Sequence, residues 1–407
     1  MLIDRSTAIG RMLRESRRSV TAIAAAILAT LFLAGAALAQ SDVITVVVAD
    51  SITHDSNLFR RPDSLNPQSD RINSASVGLR IDKQYAQQRF QLEASQTSRR
   101  YDKLSRLNSD AVDYNAAWLW FLTPRWSGTL STSRSESLVP FEDTLGTQRN
   151  VRISQNRAFT ADGLLFGGWH LLLGITQADQ TSEQAVQIEP DFRATSAEAG
   201  IRYVAPSGNS VSAVRRATKG DYLNQPAVPG LVDNGYQVDD SELKANWAIT
   251  GKSSLTGGVA WRERTNKNPA QRDFSGLDAN LSYSWRPTGK LALSVLASQT
   301  LTPLQNSPSA YVVNDTLSIG PTWQASPKVA VRLSLSRAES NYRGTGVVPA
   351  AGPARRDTLD SAEVGVNWSV MRSASVGISV QQQRRASNTD GIGFDATLVV
   401  INASITF

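Results

Sequence analysis

The sequence predicts an all-β protein, a transmembrane antiparallel up-and-down β-barrel of about eighteen strands with short periplasmic turns and longer extracellular loops. Three observations predict it. Apolar and polar residues alternate with period two over long stretches, tight turns recur every 37 to 44 residues, and five of the nine Trp occupy one phase of that repeat. Alternation marks strands whose two faces meet different surroundings. Composition agrees: mean hydropathy is −0.25 and apolar residues make up 41%, which excludes a bundle of apolar helices but not a barrel, half of whose strand positions face water.

The first element is an address. Arg11, Arg14, Arg17 and Arg18 precede an apolar stretch from Val20 to Leu38 that closes on Ala37-Leu38-Ala39. This pattern reads as a signal peptide over residues 1–39, cleaved near Ala39. The leader holds five Arg and two acids, so its removal leaves 37 basic and 34 acidic residues. Neither a basic block nor basic–aromatic interleaving remains to suggest nucleic acid. The absence of Cys removes disulfides, thiolate metal sites and a thiol nucleophile.

Residues 40–71 read as a first strand, Val43–His54, and an N-terminal loop, and residues 72–407 as the rest of the barrel. Tight turns centre near 85, 124, 168, 207, 251, 288, 327 and 371. They include Gly167-Gly168, Pro206-Ser207-Gly208-Asn209 and Pro287-Thr288-Gly289, compositions that punctuate chains. Longer polar connectors, among them 55–71, 137–154, 220–237 and 342–356, fall on the other side. Eight turns join sixteen strands, and Phe394–Phe407 adds one. Bacterial single-chain barrels have even strand counts, so the opening strand brings the total to eighteen, or sixteen if a segment such as Gln155–Phe166 is not a strand. Each period holds two segments of about ten to thirteen residues, long enough to cross a tilted barrel wall. A propeller with the same period would hold four shorter ones.

Trp120, Trp247, Trp285, Trp323 and Trp368 each stand two to four residues before a tight turn, the position of a periplasmic aromatic girdle. If the aliphatic and Trp positions face lipid, parity turns Arg80, Asp82, Arg89, Glu93, Asp113, Glu198, Arg202, Arg216, Glu242, Lys244, Arg262, Arg264, Asp278, Arg286, Arg332 and Glu363 toward the pore. That is nine positive against seven negative charges. A balance of this kind suits neutral or weakly charged hydrophilic cargo better than an ion-selective ring of one sign. By the same parity no aromatic ladder lines the lumen. The last strand alternates up to a terminal Phe407, which resembles the signal read by the barrel-insertion machinery.

Catalytic chemistry is not indicated. The two His, His54 and His170, belong to no metal-binding spacing, so neither a metal nor another cofactor is expected. His54-Asp55 lies near the outer rim, where a barrel enzyme could hold a pair, but reads as a loop dipeptide. Gly251-Lys252-Ser253 lacks the first Gly of a phosphate loop, since Asn246 stands there, and reads as a hairpin turn.

The stretch His54-Asp55-Ser56-Asn57-Leu58-Phe59-Arg60, followed by Pro62-Asp63, resembles the mature N-terminus of the EpsL-type outer-membrane proteins encoded with exosortase-associated exopolysaccharide operons. Arg61 departs from the apolar residue expected at its position. The resemblance implies export of exopolysaccharide from periplasm to cell surface across the outer membrane of a Gram-negative bacterium. It also implies partners: outer-membrane lipid, a hydrophilic polysaccharide and periplasmic components of an assembly system. It supplies no functional residues. The alternatives are a general or sugar-selective uptake porin, and a secreted soluble β-propeller that binds glycans.

Overall fold

The computed structural model describes residues 43–141, 146–184, 191–223, 234–267, 272–305, 307–346 and 352–407. The leader and its cleavage position lie outside the described residues. Eighteen strands follow one another: β1 (Ile44–Asp55), β2 (Asp70–Tyr85), β3 (Gln88–Tyr101), β4 (Ser109–Thr123), β5 (Trp126–Leu138), β6 (Val151–Phe166), β7 (Trp169–Ser182), β8 (Phe192–Val204) and β9 (Ser210–Tyr222) form the first half. The second half is β10 (Gly235–Thr250), β11 (Ser253–Asn266), β12 (Phe274–Trp285), β13 (Leu291–Pro303), β14 (Tyr311–Ser326), β15 (Val329–Arg343), β16 (Arg356–Ser369), β17 (Ala374–Ser387) and β18 (Phe394–Thr406).

All eighteen belong to one antiparallel sheet, each paired with its sequence neighbours, and β1 pairs with both β2 and β18. The sheet is closed, so no edge is left to aggregate. This removes the propeller alternative, which would divide the strands into separate four-stranded blades. At the seam, Val46 and Phe407 exchange backbone hydrogen bonds of 2.8 and 3.1 Å, so the last residue takes part in closure.

The eight tight connections fall where the turn residues stand, and Gln155–Phe166 lies within β6. Gly167 and Gly168 both take positive φ, +53° and +84°, the conformation a two-residue hairpin needs and glycine supplies without strain. Register shifts at Phe121/Thr123, Leu164/Phe166, Ala248/Thr250 and Gln324/Ser326 precede four of these turns and re-aim the strand into the turn.

Strand length corrects one expectation. The strands run 12 to 16 residues rather than ten to thirteen, more than the roughly 9–11 that cross a bilayer. The excess stands on the long-loop side. There the otherwise apolar face turns polar, with Arg157–Asp179–Arg193, Arg215–Asp239 and Arg337–Asp360 as ion pairs. Placed beyond the apolar band, these charges avoid the roughly 2–4 kcal/mol that Arg or Lys costs at mid-bilayer.

All nine Trp lie on the apolar face by register. Trp120 sits opposite Gly128 and stacks on Phe159 with ring centroids 5.8 Å apart, and a Cβ on Gly128 would collide with the Trp120 ring and the Thr160 carbonyl. Gly128→Val is therefore expected to lift the indole off the wall and destabilise the barrel by about 1–3 kcal/mol through overpacking. A changed Trp emission maximum and an earlier loss of the folded band on heating in semi-native electrophoresis would record it.

Candidate functional site

The strand registers sort side chains onto two faces. Fifteen of the sixteen charged positions predicted to face the pore share one of them; Arg286 follows β12 in a tight turn, where its N–H donates to the Lys252 carbonyl. The five Trp lie on the other face. Side chains of strands that are not neighbours meet along the polar face: Arg264 on β11 donates to the Tyr222 hydroxyl on β9 at 2.7 Å, and Gln305, just past β13, donates to the same hydroxyl. Four strand spacings cover roughly 19 Å of wall. Such convergence belongs to a concave surface.

On this face the charges neutralise one another. Arg216 on β9 holds Glu198 on β8 at 2.7 Å and reaches Asp240 and Glu242 on β10 at 4.0 and 3.7 Å. Lys244 holds Glu242 at 3.0 Å. Arg262 on β11 bridges Asp240 at 2.9 Å and Asp278 on β12 at 2.6 Å. The result is a continuous ladder across five strands. Its centre is Asp240, 3% exposed, a position outside the predicted set although it shares the parity of Glu242 and Lys244.

Arg80–Glu93 at 2.7 Å and Arg89–Asp82 at 2.5 Å form two further pairs on β2 and β3. Asp113 accepts the Glu136 backbone N–H at 2.8 Å. Arg202 pairs with Asp162, another acid outside the predicted set, which also meets His170 Nδ1 at 2.6 Å. Arg332 and Glu363 have no ion pair within 4.0 Å among the described residues. They lie in a stretch of wall, β13 to β18, whose polar face is otherwise mostly Ser, Thr, Asn and Gln: Ser298, Ser336, Ser361, Gln381, Gln383 and Asn402 are typical.

The long-loop ends are packed. Leu58, Phe59, Tyr101 and Leu107 form one buried cluster, and Ala194, Tyr222, Tyr236 and Val238 another. Arg264, 5% exposed, lies 3.7 Å over the Tyr236 ring, a cation–π contact away from bulk water. Tyr101, Tyr222, Tyr236, Phe274 and Phe394 all sit on the polar face at the loop ends of their strands, buried. Alternation predicts no aromatic ladder on this face. Aromatics do occur there, at strand ends, each at the expected parity and covered by packing.

The His54-to-Arg60 stretch forms a clasp over the seam. Asp55, at the end of β1, accepts the Asn57 N–H at 2.9 Å and pairs with Arg60 at 2.8 Å. Asn57, 1% exposed, donates through Nδ2 to the carbonyls of Arg61 and Asp395 at 2.7 and 2.9 Å and accepts the Arg61 N–H at 3.0 Å. Phe59 meets Phe141 edge-on, and the Arg60 guanidinium lies over Phe394 of β18. His54 belongs to β1, not to a loop, and its side chain leaves the sheet on the face opposite Asp55. With Asp55 engaged by Arg60 and Asn57, the dipeptide does not form a catalytic pair.

A family model described as "Putative beta-barrel porin 2" matches residues 239–407, from β10 to the C-terminus. No curated protein matches the chain. Among solved structures, Pseudomonas aeruginosa OccK9 (OpdG) is similar at 11% identity with a TM-score of 0.50, covering 90% of this chain and 98% of that one. OccK1 (OpdK) of the same organism matches at 10% identity and a TM-score of 0.49 over 89% and 99% of the two chains. The P. aeruginosa ferric enterobactin receptor PfeA matches at 10% and 0.48 over 90% and 81%. What the chain shares with OccK9 is its fold, here a closed barrel of eighteen antiparallel strands.

Proposed function

We propose that the protein is a porin-like outer-membrane channel that passes exopolysaccharide from periplasm to cell surface. The observation that carries this reading is the self-neutralised polar face. With its acids and bases paired into a ladder on one side and an arc of hydroxyls and amides on the other, the wall offers a hydrated, nearly balanced lining. Such a lining exchanges hydrogen bonds with a polyhydroxylated chain and imposes no ring of single-sign charge. The fifteen wall charges are then pore-lining, the turn-proximal Trp form the periplasmic girdle, and Phe407 is the contact for the insertion machinery. The N-terminal resemblance to EpsL-type proteins supplies the cargo, the direction and the periplasmic partners; nothing in this reading calls for catalysis. Deleting the gene is expected to abolish surface polymer while polymer accumulates inside the envelope. Unchanged secretion would reject the export role.

Uptake of small hydrophilic solutes is the second reading, favoured by the packed clusters at the loop ends, which narrow the mouth from two sides. Purified protein in liposomes would then give swelling that depends on solute size, and the deletion strain would secrete normally.

A further inference from the structure

The outer flank of β14–β17 carries a feature that the channel function does not use. Read by cross-strand register from the tight-turn end, its rows change character in order. Trp323, Val331, Val366 and Ile378 form one row, and Ile319, Leu335, Ala362 and Gln382 a higher one. Above them runs a ledge of Leu317, Arg337, Asp360 and Arg384, in which Arg337 and Asp360 pair at 2.7 Å. A groove of about 510 Å³ lies between the aliphatic rows and this ledge, with the small Ala362 between Leu335 and Gln382.

Directly above, at the loop ends of β15–β17, a cleft of about 670 Å³ is lined by Arg343, Arg356, Asn341, Tyr342 and Asn388. Its geometry is fixed: Arg356 Nε donates to Asn341 Oδ1 at 2.7 Å, and the Arg356 N–H donates to Asn388 Oδ1 at 2.8 Å. Arg355 and Asp357 neutralise each other at its side. Arg343 and Arg356 have no carboxylate within 4.0 Å among the described residues. Between the ledge and this cleft runs a row of Asp315 on β14, Glu339 on β15, Thr358 on β16 and Ala386 on β17, with its acids confined to the first two strands.

An apolar groove, a polar ledge and an arginine–amide cleft, stacked in that order of depth, match one kind of ligand: an amphiphile with hydrocarbon chains and a phosphorylated or carboxylated saccharide head. Planar guanidinium forks suit such anions, and side-chain amides suit sugar hydroxyls. We infer that this flank is a binding site for lipopolysaccharide of the surrounding leaflet, with its chains in the groove and an anionic head group at Arg343 and Arg356. The inference rests on the outer-membrane placement and is independent of the cargo.

The test uses the full mature protein in phosphatidylethanolamine nanodiscs titrated with fluorescent lipopolysaccharide. Arg343→Ala/Arg356→Ala is expected to bind at least tenfold more weakly, with the heat-modifiable folded band unchanged. Ala362→Phe, which fills the groove and leaves the cleft, should weaken binding severalfold. Arg193→Ala/Lys219→Ala, which removes two charges from the far flank, should bind as the unsubstituted protein does. Equal binding by the cleft variant, or equal displacement by phosphatidylglycerol, overturns the site while leaving the barrel intact. Failure of the protein to enter nanodiscs at all overturns both this inference and the membrane reading.

Discussion

Arg262→Met should destabilise the barrel by about 2–3 kcal/mol and turn its conductance toward cations. Among the described residues, Arg262 is the only base that joins β10 to β12 in the ladder, at 2.9 Å from Asp240 and 2.6 Å from Asp278. Removing one member of a buried pair strands the other, at a cost of about 3–5 kcal/mol when burial is complete; Arg262 is 27% exposed, which lowers the expected figure. On the proposed channel reading, the two carboxylates left behind would face the lumen with Arg216, 4.0 Å from Asp240, as the nearest compensation. The reversal potential in a salt gradient should therefore move in the cation-selective direction, and the folded band should be lost at lower temperature. Asp240→Asn in the same chain should restore part of both, because it removes one of the two stranded charges. If neither selectivity nor stability moves, the ladder does not line the conducting path.

The pattern that made these residues visible is local, and so is what it missed. Period-two alternation is written within each strand, so the faces of Arg262, Glu242 and Asp278 were legible without any knowledge of their partners. Turn positions were legible for the same reason, because a turn such as Gly167-Gly168 needs only its own backbone freedom. The partners were not legible. Whether Arg216 meets Glu198, Asp240 or Glu242 depends on register between strands far apart in sequence; the face of Asp240 was legible from the parity it shares with Glu242 and Lys244, but its burial at the centre of the ladder was not. The height of the strands was likewise hidden. Arg337 and Asp360 occupy the apolar parity, and only their position beyond the aliphatic rows shows why that is tolerated. Burial of Tyr101, Tyr222 and Phe394 depends on packing at the loop ends, which alternation does not encode.

Asn57→Ala is expected to have the largest effect on barrel stability, about 3–5 kcal/mol, although the residue lies at the rim and outside every strand. Its side chain makes three hydrogen bonds in a buried position, two donated to the carbonyls of Arg61 and Asp395 and one accepted from the Arg61 N–H. Truncation leaves each of these backbone groups unsatisfied, at about 1–3 kcal/mol apiece, and water does not easily replace a side chain that is 1% exposed. The Asp395 contact has a second consequence. Asp395 is the second residue of β18, so Asn57 ties the end of the first strand to the start of the last, across the one pairing in the sheet with no chain connection to hold it. Loss of the clasp should therefore slow closure as well as weaken the closed state. In refolding from urea into detergent micelles, Asn57→Ala should show a slower appearance of the heat-modifiable band and a lower urea midpoint. Asn108→Ala, which removes a side-chain acceptor for the Tyr101 N–H at 2.8 Å on the same rim but does not touch the seam, should lower the midpoint less and leave the closure rate unchanged. Equal rates for Asn57→Ala and the unsubstituted protein would mean that the seam closes without the clasp, and that Asn57 serves only local packing of the rim.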